Sequence, residues 1–392
     1  MAAAATPPSP PLRRAALRTL FDFCGCVLAG AEPEASWPLD RAGRLALYAH
    51  RRDQDDLHLG SVTHPGGVVW SAVAACAVEC GASIGDAVAA AALGYELTVR
   101  LAEAAGAQHR QRWHATATAG TVGAAGAAAR LLGADEADAV AHAASVAGGS
   151  AHAMLELAGT RFLHRCHAAS AGVACARAAA AGLRASRGVL AGGRGAFAEL
   201  SGDPLAAREA TALEETGFRL YAASGFAHAA AAAALSLGPL EPGEIERVRV
   251  VVSPPAALAL ASNRAPADDE EAWWSVEHAV AACLTTGGLD ALAAGRGGPA
   301  VLALCARVDL EAGAPGWGAS VEATMRDGSA RTASVDGPPG HGDRPASDDD
   351  LLAKWRRLTG CDGAAFLERL LVADDEEPLA ALLDGQLGTL LG

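Results

Sequence analysis

Trp113-His114-Ala115-Thr116-Ala117-Thr118-Ala119-Gly120-Thr121-Val122-Gly123 opens a run of small side chains that continues to Leu132, and the spacing predicts one helix over 115–132. Glycine and alanine along a helix let another backbone, or a ligand, come close. The same composition extends outward in both directions. From Arg13 to about Leu235 alanine and leucine dominate and glycine punctuates, so the reading is almost all helix. It predicts helices over 12–28, 67–79, 84–105, 136–147 and 168–182, with Asp135 capping the helix that follows the stop at Gly133. Ala-rich helices without bulky side chains pack closely, which implies a compact helical bundle.

The character changes at Pro242. Ile245-Glu-Arg-Val-Arg-Val-Val-Val-Ser253 alternates charged and β-branched residues and predicts a strand. A helix is expected over 274–286, strands over 301–310 and 319–325, and a hairpin turn at Arg326-Asp327-Gly328-Ser329. Residues 244–344 therefore read as a smaller α+β domain between two helical parts, 1–243 and 345–392. Helices resume at 347–358 and 363–371, and the tail from Glu376 is helical in pattern. The Pro-rich start, 1–11, is expected to be disordered.

The bulk composition excludes several functions. The chain has 392 residues, 51% hydrophobic and 19% charged, so it can bury a sizeable core. Its net charge of −14 argues against nucleic acid or anionic membrane as partner. A local arginine cluster can still hold a small anion. The nine cysteines lie in apolar helical segments and read as buried, reduced thiols of a cytoplasmic protein. Cys24-Gly-Cys26 has the wrong spacing for a zinc knuckle. The N-terminus lacks the basic-then-apolar order of a secretory signal, and the apolar run 87–97 meets Glu96 and Arg100 too soon to span a membrane. No phosphate-cradling glycine motif follows a strand, so no nucleotide site is expected.

Against this background five polar spots stand out. Asp53-Gln-Asp-Asp-Leu-His58-Leu-Gly-Ser-Val-Thr-His64-Pro-Gly-Gly67 packs three carboxylates and two imidazoles before a Pro-Gly turn. Such groups are natural acid–base equipment, or else a solvated loop whose aspartates cap the next helix. His114 opens the small-residue helix, or simply caps it. Arg161-Phe-Leu-His164-Arg165-Cys-His167 gathers groups able to bind acids or protons, or surface charges beside a helix start. Arg219, Tyr221, Ser224 and His228 form a fourth spot, in which His228 also reads as a satisfied core histidine. Trp273-Trp274 is a bulky patch, or core. Together, Asp53, His64, His114 and two arginines on otherwise apolar helices point to one anion-binding pocket.

The chain resembles the MmgE/PrpD family, which contains 2-methylcitrate dehydratase, cis-aconitate decarboxylase and iminodisuccinate epimerase. The resemblance runs through five stretches in order. Leu20–Gly30 is similar to the family's Asp-x-x-Gly-x-x-Leu-Ala-Gly helix. Asp55-Asp56-x-His58 with His64-Pro65-Gly66 resembles its Asp-Asp-Thr-His…His-Pro-Gly signature. Trp113–Thr121 resembles Phe-His-x-Thr-x-x-x-Gly-Thr. His164–Val173 resembles Leu-His-x-Gly-x-Ala-Ala-x-x-Gly. Gly340-His341 with 349–355 resembles Gly-His-Pro…Leu-x-x-Lys-Phe.

The resemblance implies a mostly α fold: a large all-helical domain formed by both ends of the chain, with an inserted smaller α+β lid. It further implies a homodimer, no metal, no organic cofactor, and an active site between helical domain and lid. The catalytic residues it implies are Asp53, His64 and His114. Two family lysines are replaced by Arg161 and Arg219, and Ser224 stands at a third histidine position. Arg161, Arg219, Ser224 and His164 are the expected substrate-binding residues. Arginine grips a carboxylate bidentately but does not release a proton, so any proton step of a lysine is lost or moved. The expected function is a cofactor-independent hydro-lyase acting on a small di- or tricarboxylic acid, with epimerisation and then decarboxylation as alternatives. The arginine and serine replacements and a short segment before Asp53 leave a catalytically weakened, acid-binding dimeric scaffold as the other reading.

Overall fold

The computed structural model describes residues 8–31, 39–155, 159–190, 193–198, 200, 210–260, 262–288 and 295–391. In chain order the first elements are α1 (Pro10–Gly30), α2 (Arg41–His50), α3 (Pro65–Cys80), α4 (Ile84–Arg112), α5 (Ala115–Leu132), α6 (Glu136–Val146), α7 (His152–Leu155), α8 (Thr160–Ala180) and α9 (Ala212–Glu215). Then come α10 (His228–Ser236), β1 (Ile245–Val252), α11 (Pro254–Ala259), α12 (Asp269–Trp273), α13 (Val276–Thr286) and α14 (Pro299–Cys305). The chain closes with β2 (Val308–Ala312), β3 (Ala319–Met325), β4 (Ala330–Val335), α15 (Asp348–Thr359), α16 (Ala364–Val372) and α17 (Leu379–Leu391). The fold is mostly α. No described helix is long and apolar enough to cross a membrane.

Two compact units divide the chain, 1–217 with 358–392, and 218–357. In the first, α5 is the hub. It packs against α3, α4, α6 and α8, and every residue from Ala115 to Ala129 is buried. A helix buried all round needs small side chains where neighbours cross it. Gly172 of α8 is such a crossing, because a Cβ there would lie 2.5 Å from Ala124 Cβ and 2.9 Å from the Ala125 nitrogen. The two chain ends meet in this unit. Phe21 of α1 packs on Phe366 of α16 at 5.9 Å. Arg13 donates to Asp375 at 2.7 Å and to the Leu371 carbonyl at 3.1 Å.

In the second unit a four-stranded sheet has the order β2-β1-β3-β4, with β1 parallel to β2 and antiparallel to β3, and β4 antiparallel to β3. Val250 of β1 lies opposite Leu310 and Val321. The alternation read from the sequence places Val248, Val250 and Val252 on the buried face, and a register shift between Ile245 and Arg247 buries Ile245 as well. α10 packs against β1, β3, β4 and α13, which is why this unit starts at 218 rather than at the composition change near 244. At its other end Arg357 donates to the Leu220 carbonyl at 3.0 Å, so the unit extends beyond 344.

Several expected elements differ. Residues 301–310 form no single strand: Pro299 at the first helical position and buried Val301, Leu304 and Cys305 make α14, and β2 follows. The Ala-rich α10, read as part of the helical domain, belongs with the sheet. α8 starts at Thr160, not 168, so the Arg/His stretch is helical. α2 was absent from the sequence reading. α1 begins at Pro10 with Ser9 capping it, inside the segment expected to be disordered; residues 1–7 of that segment lie outside the described ones. Between 181 and 210 the described residues contain no helix, against the near-continuous helix expected. All nine cysteines are free, with Cys80 and Cys361 exposed and the rest buried.

Candidate active site

The Asp53–His64 stretch is no solvated loop. Asp53, Gln54, Asp55, Asp56, His58, Ser61 and Thr63 are all buried. Burial of so many polar groups requires partners, and the backbone supplies several. His58 and Thr63 exchange main-chain hydrogen bonds at 2.9 and 3.4 Å, closing a small hairpin. Asp53 has φ of 52° and Val62 φ of 55°, and for β-branched Val62 this left-handed backbone is strained.

Asp56 does cap the next helix, as the plainer reading expected. Its Oδ1 accepts from the Gly66 N–H at 2.9 Å and its Oδ2 from the Tyr95 hydroxyl at 2.7 Å. No side chain fits at Gly66, where a Cβ would lie 2.5 Å from the Tyr95 oxygen and 2.6 Å from Asp56 Oδ2. Burial pushes the Asp56 carboxyl up to about 7, partly offset by the Tyr95 hydrogen bond. The same residue sets His64: Nδ1 of His64 donates to the Asp56 carbonyl at 2.6 Å, so the imidazole lone pair lies on Nε2. The His64 N–H donates to Thr116 Oγ1 at 3.1 Å, tying the loop to α5.

His114 sits at the N-cap of α5, held by its N–H to the Gly149 carbonyl at 2.9 Å. Its side chain makes no cap. Nδ1 lies 3.2 Å from Nδ1 of His164, one nitrogen donating and the other accepting. Burial, with Arg165 and the neighbouring imidazoles, holds His114 well below the usual histidine range. His164 is partly exposed and shifted down for the same first two reasons.

Arg161 and Arg165, plainly read as surface charges, are both 1% exposed. They face inward because α8 begins at Thr160 and carries them on its buried side. Arg161 lies over the Phe162 ring at 4.8 Å. Arg165 Nε is 3.9 Å from Asp55 Oδ2. The first unit thus carries Asp53, His64, His114, Arg161 and His164 on its α2–α3 loop, α5 and α8.

Arg219 and Ser224 lie in the second unit, both buried. The Ser224 N–H donates to the Trp273 carbonyl at 2.7 Å. His228 is fully buried, donates from Nε2 to the Ala223 carbonyl at 3.1 Å, and packs on Tyr221 at 4.9 Å. It is a core histidine, as the plainer reading expected, with one ring nitrogen bonded and the buried Nδ1 without a hydrogen-bond partner. Burial, then Arg219 and His341, push it down to about 3.

The sequence reading missed His50, the last residue of α2. Its Nδ1 is 2.9 Å from Asp55 Oδ1 and 3.7 Å from Asp53 Oδ1. The one signal was an imidazole three residues before Asp53, on a helix too short and mixed to be read. Ligand atoms of His50, Asp53 and Asp55 lie within 4.8 Å of one another, a spacing that suits a metal ion. Arg165 already supplies the cation beside this group, so the donor set fits a hydrogen-bonded carboxylate pair better. Despite the two carboxylates, His50 is pushed down to about 4, because burial and then Arg165 outweigh them.

These shifts predict acid lability. His50, His114 and His228 stay neutral in the folded chain, whereas the unfolded chain protonates them below about 6.5. Their stabilisation is complete above 6.5 and is lost as pH falls toward the folded values, by up to about 1.4 kcal/mol per pH unit for each. Asp56 acts oppositely: its contribution is complete below its unfolded value of 3.8 and is lost as pH rises toward 7. Three histidines outweigh one aspartate, so the melting temperature rises from pH 4.5 to 6.5. A flat or falling profile over that interval contradicts neutral buried imidazoles.

The MmgE/PrpD N-terminal domain family model matches residues 38–209, and the MmgE/PrpD C-terminal domain model matches residues 221–366. No curated protein matches the chain by sequence. Two domain models in order, covering most of the chain, settle its ancestry: it belongs to the MmgE/PrpD family.

Proposed function

We propose that this protein is a cofactor-independent hydro-lyase acting on a small di- or tricarboxylic acid. Family membership suggests a dehydratase or lyase-type enzyme. The observation that carries the finer reading is the fixed tautomer of His64: its Nδ1–H is committed to the Asp56 carbonyl, which leaves Nε2 as a base.

In this reading Arg161 holds a substrate carboxylate and Asp53 orients the imidazoles, while Arg219 and Ser224 keep the substrate-binding roles that the resemblance implies. His64 Nε2 takes a proton from the carbon next to a carboxylate. Carbanion character there is very unfavourable in water, and fixed guanidinium charge offsets it. The C–H electron pair becomes the carbon–carbon double bond as hydroxide leaves from the neighbouring carbon. The protonated His64 returns that proton to the departing hydroxide, giving water, while the neutral His114 donates a hydrogen bond to the leaving oxygen. A hydrogen bond from His164 Nδ1–H to His114 Nδ1 would put the His114 proton on Nε2, where it serves as that donor. The arginines take no part in proton movement. The homodimer that the resemblance implies, and the cytoplasmic location read from the cysteines, belong to the same proposal.

Two imidazoles, His64 and His114, would also serve a two-base epimerisation. Incubation with 2-methylcitrate, citrate, cis-aconitate and substituted succinates, followed by proton NMR, separates the outcomes. The expected result is an olefinic product from one hydroxy acid. A diastereomer of a substituted succinate would replace dehydration by epimerisation. No product from any acid would favour the acid-binding scaffold.

A further inference from the structure

His50 is the point where the polar groups of the first unit converge. It closes α2, is 1% exposed, and gives its Nδ1–H to the Asp55 carboxylate, with the Asp53 carboxylate beside it. Asp55 takes the near position at 2.9 Å and Asp53 the far one at 3.7 Å. Arg165, 3.9 Å from the other Asp55 oxygen, places its charge beside that carboxylate from α8. The Asp53 backbone turns back on the same residue, donating its N–H to the His50 carbonyl at 2.8 Å while adopting φ of 52°.

The ring faces matter as much as the nitrogen. His50 packs against His64 with centroids 6.0 Å apart and against Phe162 at 5.7 Å. Phe162 in turn lies under the Arg161 guanidinium at 4.8 Å. A continuous series of tilted ring contacts therefore runs His64, His50, Phe162, and ends at Arg161. One imidazole refers the expected base, the expected aspartate and an expected carboxylate-binding arginine to a single position.

We propose that His50, fixed by the buried Asp55–Arg165 pair, is a positioning residue that holds Asp53 and His64 in register with Arg161. The proposal rests on the reading of Asp53 and His64 as proton-handling groups. Burial and Arg165 keep the ring neutral, so it acts by hydrogen bonding and packing rather than by charge. Displacement of a reacting group by about 1 Å costs on the order of 100-fold in rate, which sets the expected effect.

The test compares three variants of the full chain. His50→Asn restores an N–H at the place of Nδ1, whereas His50→Phe and His50→Leu keep bulk without it. The rate of substrate hydrogen exchange should fall no more than about 10-fold in His50→Asn and about 100-fold or more in either apolar variant, with KM changing less than about threefold. Equal rates in His50→Asn and an apolar variant, or a loss of more than about 100-fold in His50→Asn alone, overturn the proposal.

Nitrogen-15 NMR of the imidazoles provides a readout independent of turnover. His64 keeps its Nδ1–H tautomer and titration midpoint in His50→Asn, and changes one of them in the apolar variants. If the wild-type protein exchanges no acid, the functional reading falls, and the His64 signal still decides the positioning role. A His64 signal identical in all variants overturns it.

Discussion

Replacing His114 by alanine lowers the rate of substrate hydrogen exchange by about 100- to 10,000-fold, the span expected when one positioned acid or base is removed. The melting temperature moves little. His114 makes no side-chain cap to α5, and its main-chain bond to Gly149 survives the substitution. What is lost is a neutral imidazole hydrogen-bonded to His164. His164→Ala should give a smaller loss, because His164 acts through His114. A His114→Ala protein that retains its rate would remove His114 from the chemistry and leave it a helix-start residue.

Replacing Gly172 by leucine prevents folding. A Cβ at this site already lies 2.5 Å from Ala124 Cβ and 2.9 Å from both the Ala125 nitrogen and the Thr121 carbonyl oxygen. Two of these are backbone atoms of α5, which cannot move alone because α3, α4 and α6 pack on its other sides. Gly172→Ala forces α8 outward and costs about 1–3 kcal/mol, the range of modest overpacking. Leucine adds three further carbons at the same place, and the cost approaches the whole stability of a typical domain, about 5–15 kcal/mol. Gly148→Ala is the control, since a Cβ there meets nothing within 4 Å. The expected result is no cooperative thermal transition for Gly172→Leu, a lowered one for Gly172→Ala and an unchanged one for Gly148→Ala. A Gly172→Leu protein with a normal melting transition would contradict close helix crossing at α5.

How much of this was legible in the sequence depends on how local the physics is. The α5 helix and the β1 strand follow from short-range pattern, small residues between a capping position and Gly133, and alternating β-branched residues. The stretch 301–310 failed because a short apolar run, Ala300 to Ala306, fits both periods, and only Pro299 and the buried spacing of Val301 and Leu304 decide for helix. The first two turns of α8 failed because charged residues read as loop. Arg161 and Arg165 are nevertheless buried, and what compensates them, Phe162 beside one and Asp55 beside the other, includes a group more than a hundred positions away. The residues of the Asp53–His64 stretch were visible, and so was a capping role for its aspartates. That His64 is held by a carbonyl of Asp56 was not, since composition carries no backbone direction. His50 was invisible for the same reason: its importance comes from contacts with α8 and with the turn at Asp53, not from its neighbours on α2.

The central claim is that neutral imidazoles beside buried guanidinium groups move a proton at a carbon next to a carboxylate. Proton NMR of the wild-type protein in deuterated water with the same panel of acids tests it most directly. The account predicts loss of one carbon-bound proton signal from one acid of the panel, faster than from the others. A folded wild-type protein that exchanges no carbon-bound hydrogen in any of the acids would contradict it.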